Sequence, residues 1–169
     1  MTVQTGAKLR VQSSATDTAI RGNVKGDGCD HIVLDNQGAI SSRIVIGGDL
    51  SITHCTDVSL QGCVGDSSMD PPTPILIGGN FKCSNNYQGG CGLGACAIGG
   101  NVECSGNAHE CFLSFATIAG TATLNNNLGG ISVFSSAIAG DLKCNGNGAP
   151  TSGGGNTVAG IKSGQCSGF

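Results

Sequence analysis

His31, Asp57, Gln88 and His109 occupy one place in four successive segments of the chain, 26, 31 and 21 residues apart. If those segments stack, His31 and Asp57 meet as a general acid/base pair or as part of a metal site. His109 is followed by Glu110, a second carboxylate, although neighbouring strand residues point to opposite faces. The same residues also suit a water-facing polar corner, where His and Asp need no task. A second candidate is the stretch from Asp66 to Pro74, whose Asp66 and Asp70 could hold a calcium ion. Their spacing matches no standard calcium loop, so a proline-stiffened surface loop is the plainer account. Tyr87 is an aromatic platform a sugar could use. No Gly-x-Ser-x-Gly elbow is present, and the run Gly89-Gly90-Cys91-Gly92-Leu93-Gly94 precedes no helix, which removes the nucleophile and phosphate-loop readings. No metal and no cofactor is expected.

The elements that must position these residues come from a repeated phrase. It reads Ile77-Gly78-Gly79-Asn80, Ile98-Gly99-Gly100-Asn101, Ile118-Ala119-Gly120-Thr121, Ile138-Ala139-Gly140-Asp141 and Val158-Ala159-Gly160-Ile161, with starts 21, 20, 20 and 20 residues apart. It also occurs at Ile20-Arg21-Gly22-Asn23 and Ile46-Gly47-Gly48-Asp49, in longer units of 26 and 31 residues. With the leading Ile as position one, position five is Val24, Leu50, Phe81, Val102, Ala122 and Leu142. Position seven is Ile52, Cys83, Cys104, Leu124 and Cys144, with Gly26 the exception. Polar residues lie between them, the alternation of a strand with one buried face. Equal repeats of one strand pattern stack in parallel, and such crossovers are right-handed. The expected fold is all-β, a right-handed parallel β-helix of about seven rungs with a period of about 20 residues.

One domain covers 1–169. Residues 1–19 form a lead-in or first rung, 20–76 two long rungs with a loop at 66–74, 77–157 the regular rungs, and 158–169 a C-terminal cap. The glycines at 153–155 would fold over the last rung and Phe169 would plug it. Position ten of each regular rung is an asparagine, Asn86, Asn107, Asn127 and Asn147. This column reads as an internal ladder at a corner whose left-handed backbone Asn tolerates. Cys29 and Cys55 take the same position in the earlier rungs and could bridge there.

Thirty glycines, 4% aromatics and 11% charged residues leave little for a thick core, which agrees with a thin rod of tight turns. The net charge of −3 and the lack of a Lys/Arg cluster argue against nucleic acid and anionic membranes as partners. Apolar runs are too short to span a bilayer. Ten cysteines without paired zinc knuckles read as five disulfides in an oxidising setting. Besides Cys29–Cys55, the pairs Cys83–Cys91, Cys104–Cys111, Cys144–Cys166 and Cys63–Cys96 are one set among many that spacing allows. Met1 reads as an added start residue on a mature secreted chain.

The run Ile98 to Asn107 and the ending Leu142-Lys143-Cys144, Asn147, Gly155-Asn156-Thr157-Val158 and Gly164-Gln165-Cys166 resemble small secreted bacterial repeat proteins. These are disulfide-containing right-handed β-helices, mostly without an assigned function. The resemblance spans 77–169 well and 20–76 loosely, and implies a fold rather than a chemistry. The wider β-helix class includes pectate-lyase-like enzymes, whose calcium-and-arginine set is not recognisable here.

The functional expectation is an extracellular structural or binding module, a polar-faced rod that meets a surface, a glycan or further copies of itself. One alternative is a small enzyme acting on a polysaccharide or metabolite through His31, Asp57 and His109. Another is ice binding on the first strand's outward grid, which Lys25, Lys82, Glu103 and Lys143 make a poor match.

Overall fold

The computed structural model describes residues 1–12, 17–35, 43–60 and 75–169. Every element among them is a β-strand, and every strand pairing is parallel. The chain winds into a β-solenoid of about seven turns, each carrying three short strands rather than the single one its sequence pattern makes plain.

The first wall is an eight-stranded sheet running from Thr2–Val3 through Val24–Asp27, Leu50–Thr53, Phe81–Ser84, Val102–Ser105, Ala122–Asn125 and Leu142–Asn145 to Lys162–Gly164. Seven spacings of about 4.8 Å make this wall about 34 Å tall. The third wall is seven-stranded, Thr18–Ile20 to Thr157–Val158, and ends each strand on the leading Ile or Val of the repeated phrase. The second wall is divided. Lys8–Gln12, His31–Asp35 and Asp57–Ser59 form one sheet, while Cys91–Gly94, Cys111–Ser114, Ile131–Phe134 and Thr151–Gly154 form another.

Period-two alternation sends positions five and seven of the first wall inward, where Leu50, Ile52, Phe81, Cys83, Leu124 and Leu142 are all buried. They meet Leu93, Leu113, Ile131 and Val133 from the second wall and Ile46, Ile77, Ile98 and Ile118 from the third. Gly26 interrupts position seven because Ile32 fills its space; a Cβ there would come 2.4 Å from Ile32 Cδ1.

Four of the five expected disulfides are seen among the described residues. Cys29–Cys55 joins two turns at one corner, Cys83–Cys91 and Cys104–Cys111 cross a turn from first wall to second, and Cys144–Cys166 ties down the C-terminal turn. Their Cα atoms are 4.5–6.4 Å apart, within the reach of the bond. The expected Cys63–Cys96 pair involves Cys63, which lies outside the described residues, as do Asp66 and Asp70. No described cysteine is free.

At the C-terminal end Gly153 and Gly154 do not fold over the last turn, because they are themselves second-wall residues paired with Val133 and Phe134. The cap is made after Gly164. Phe169 rests on Gly153, where a Cβ would come 2.3 Å from the ring, and Lys162 Nζ donates to Phe169 O. Thr2–Val3 and Lys8–Gln12, at the other end, pair with the following turn as regular first- and second-wall strands.

Candidate functional site

Stacked identical corners must satisfy their backbone groups, and three columns of side chains do so here. The inner column is the asparagine ladder. Asn107 Oδ1 accepts from the backbone N–H and the Nδ2 of Asn86 at 3.1 and 3.0 Å. Its Nδ2 donates to Asn127 Oδ1 at 2.9 Å and to Cys83 O at 3.1 Å. All four amide capacities are filled, which is what a buried asparagine requires. The ladder begins where Cys55 N donates to Asn86 Oδ1 and ends where Asn147 Nδ2 donates to Gln165 Oε1, a terminal member its sequence spacing hides.

The left-handed residue of this corner is not the ladder asparagine, as expected, but the one before it: Gly28, His54, Asn85, Gly106, Asn126 and Gly146 have φ between 54° and 68°. The amide must point inward, so the turn in the chain falls to its neighbour. Asn and Gly alternate along that neighbouring column because each Asn lies over the next Gly. A Cβ at Gly106 would come 2.5 Å from Asn85 Oδ1, and one at Gly146 2.3 Å from Asn126 Oδ1.

A second, outer column explains the repeated phrase. Asp49 N donates to Asn23 Oδ1, Asn80 N to Asp49 Oδ1, Asn101 N to Asn80 Oδ1 and Thr121 N to Asn101 Oδ1, each at 2.7–2.9 Å. Asp141 N and Ile161 N continue the series onto Thr121 Oγ1 and Asp141 Oδ1. Position four is therefore not a free part of the polar grid, since its oxygens hold the next turn. The glycine before it must be small because it sits under the preceding oxygen; a Cβ at Gly100 would be 2.5 Å from Asn80 Oδ1. A third, shorter column lies at the corner between the second and third walls. There Ala116 N donates to Ser136 Oγ and Ser136 N to Asn156 Oδ1. Its left-handed residues are Ala95, Phe115, Ser135 and Gly155.

The candidate catalytic column comes apart on this scaffold. His31 and Asp57 are register partners, and Nε2 of the one lies 3.4 Å from Oδ2 of the other. His31 Nδ1 lies 3.2 Å from Asp30 Oδ1, an ion-pair distance without hydrogen-bond geometry, and has no hydrogen-bonding partner. Lys8 approaches Asp30 at 3.2 Å and holds its carboxyl below the usual aspartate range. Gln88 follows in the next turn, where its N–H donates to Thr56 O, but the second wall breaks between Asp57–Ser59 and Cys91–Gly94. His109 stands exposed beyond that break and does not join the pair. Glu110 accepts instead from Ser132 Oγ at 2.6 Å. Tyr87 is 62% exposed at the ladder corner.

A second His–Asp pair, 27 residues apart in the chain, carries no local sequence signal. His54 Nδ1 and Asp27 Oδ1 are 2.9 Å apart, and Thr53 Oγ1 donates to the same oxygen at 3.0 Å. The His54 hydrogen bond, then that of Thr53, holds the Asp27 carboxyl below its ordinary range. Thr2, Val3, Gln4, Thr5, Lys25 and Asp27 line a shallow open groove beside it. The pair joins the same two turns as Cys29–Cys55 and His31–Asp57, and its half-exposed groups make it a clasp between turns. Among the described residues no three His, Cys, Asp or Glu side chains converge as a metal site requires, and no helix is long and apolar enough to cross a membrane.

The chain matches no protein-family model, no curated protein and no solved structure. The likeness to secreted bacterial solenoids rests on its motifs alone, and the disulfide-bonded solenoid stands on the geometry above.

Proposed function

We propose that this protein is an extracellular, non-catalytic binding module, a rigid rod whose walls engage an extended glycan. The observation that carries this reading is the pinning of successive corners by side-chain ladders, reinforced by buried disulfides. A backbone so over-determined loses little further freedom when it binds, which favours recognition by preformed flat walls. Disulfides of this number support an oxidising, secreted setting. A catalytic reading has in its favour only two half-exposed His–Asp contacts, His31–Asp57 and His54–Asp27, the second beside a shallow open groove. Stacking of rods end to end is opposed at the C-terminal end by Phe169, and by Ile161 standing where every earlier turn offers an oxygen to its successor.

The test is a panel of soluble and insoluble polysaccharides, scored for binding and for released sugar. The expected result is saturable binding without turnover, unchanged in His31→Ala and Asp57→Ala. Turnover that those two substitutions abolish would replace this reading with an enzyme. Absence of binding to every polymer would end it.

A further inference from the structure

The outward side of the second wall between Cys91 and Gly154 differs from the rest of the surface. In Cys111–Ser114 and Ile131–Phe134 burial alternates, so Phe112, Ser114, Ser132 and Phe134 point out. Their register sets Phe112 opposite Ser132 and Ser114 opposite Phe134, so the two rings lie on a diagonal. Phe112 has a floor of glycine: a Cβ at Gly92 would come 1.9 Å from its ring, so no other residue admits the ring there. Phe115 follows at the corner, held left-handed at φ 52°, with its N–H donating to Phe134 O. Phe115 and Phe134 are 66% and 42% exposed, among the few large apolar side chains left in water by the described residues.

From this arrangement we infer that turns four to six carry the glycan site, and that it takes a neutral polysaccharide. The inference rests on the binding reading above and names its face and ligand class. Three facts select the occupant. The four strands of this sheet contain no lysine or arginine, so a polyanion finds no counter-charge. Glu110 at its edge, bonded to Ser132, would repel uronates and sulfated sugars while keeping acceptor capacity for a sugar hydroxyl. The exposed ring area is on the order of 300 Å², well below the roughly 800 Å² per partner of a stable protein interface. A pyranose ring offers an apolar face of C–H bonds to an aromatic ring's negative face, and hydroxyls at its rim to Ser114 and Ser132.

The experiment measures binding of the disulfide-intact protein to laminarin, cellulose and chitin as neutral polymers and to polygalacturonate as the anionic one. Phe115→Ala, Phe134→Ala and Phe134→Trp are compared with the parent, each with its thermal melt. Binding to a neutral polymer is expected, with a loss of about tenfold or more in each alanine variant, equivalent to one good ring contact. Phe134→Trp should retain binding, and the melts should be unchanged because both positions are exposed. Neutral binding that survives both alanine substitutions would overturn this face while leaving the binding reading intact. Preference for polygalacturonate would overturn the ligand class. Failure of the parent to bind any polymer would remove both the reading and this inference. Should an alanine variant melt early, Ser132→Ala, which removes one hydroxyl without a ring, gives the same discrimination.

Discussion

Asn107 Nδ2 donates across one turn to Asn127 Oδ1 at 2.9 Å and back across another to Cys83 O at 3.1 Å, so one amide joins three turns. Asn107→Ala would take the side-chain acceptor from Asn86 N, leave Asn86 Nδ2 only the weak sulfur acceptors of Cys83 and Cys91, and remove one donor from Cys83 O, all in a dry interior. The expected cost is about 2–4 kcal/mol, below a full sum because neighbouring groups relax. Gln165→Ala removes the exposed last member of the same ladder, where water can replace it, and should cost under about 1 kcal/mol. Urea unfolding of both variants measures this; equal costs would mean that burial does not set the ladder's contribution.

The outer column makes a directional prediction about glycine. Gly22 and Gly100 hold the same place in the repeated phrase. A Cβ at Gly22 meets nothing within 4 Å, whereas at Gly100 it meets Asn80 Oδ1 at 2.5 Å. Gly100→Ala should therefore destabilise by about 1–3 kcal/mol through displacement of the Asn80 bond, and Gly22→Ala should stay within about 0.5 kcal/mol of the parent. Matched thermal melts of the two proteins decide it.

How far these relations were legible follows from their range. A stacked fold repeats any residue that touches its own copy, so Asn86, Asn107, Asn127 and Asn147 announce a buried column, and Ile77, Ile98, Ile118 and Ile138 announce its register. The first wall is plain because Val102–Ser105 and Leu142–Asn145 alternate. The second is not: Cys91–Gly94 and Thr151–Gly154 are rich in glycine and become strands through the neighbours they stack on. Position four reads as free surface, because nothing local reveals that Asn101 Oδ1 accepts from Thr121 N. His54 was invisible for a related reason, since its partner Asp27 lies 27 residues earlier in units of irregular length. The aromatic diagonal of Phe112 and Phe134 needed the register of two strands before it had any meaning.

The disulfides carry their own prediction. Each closes a loop with a separation of 7–26 residues, for which chain entropy gives about 2–4 kcal/mol apiece. All eight sulfur-bearing residues of the four observed bridges are buried, so a reductant should act only once the turns open. The reduced protein should melt well below the oxidised one, while native protein exposed briefly to a reductant and then to an alkylating reagent should gain no label at these positions by mass spectrometry. The double variant Cys29→Ala with Cys55→Ala should lose about 3 kcal/mol. Labelling of Cys29 under that treatment would show that the two turns it bridges open on their own.

Acid should weaken the rod through three aspartates. Asp27 is held below its ordinary range chiefly by the His54 hydrogen bond, Asp30 by Lys8 and Asp141 by the Ile161 N–H, with Lys143 adding to the last. A carboxyl with a lower pKa folded than unfolded stabilises the fold above the unfolded value, about 3.9, and that stabilisation is lost as pH falls through the folded value. The urea midpoint should thus hold from neutrality to about pH 4 on the aspartates' account and fall below it. Asp141→Asn separates the causes. The amide oxygen still accepts from Ile161 N, so the outer column survives, but the titrating group and its attraction to Lys143 are gone. This variant should unfold at a slightly lower urea concentration at neutral pH and lose less on acidification than the parent. An acid loss identical in the two proteins would place the pH dependence elsewhere than at this corner.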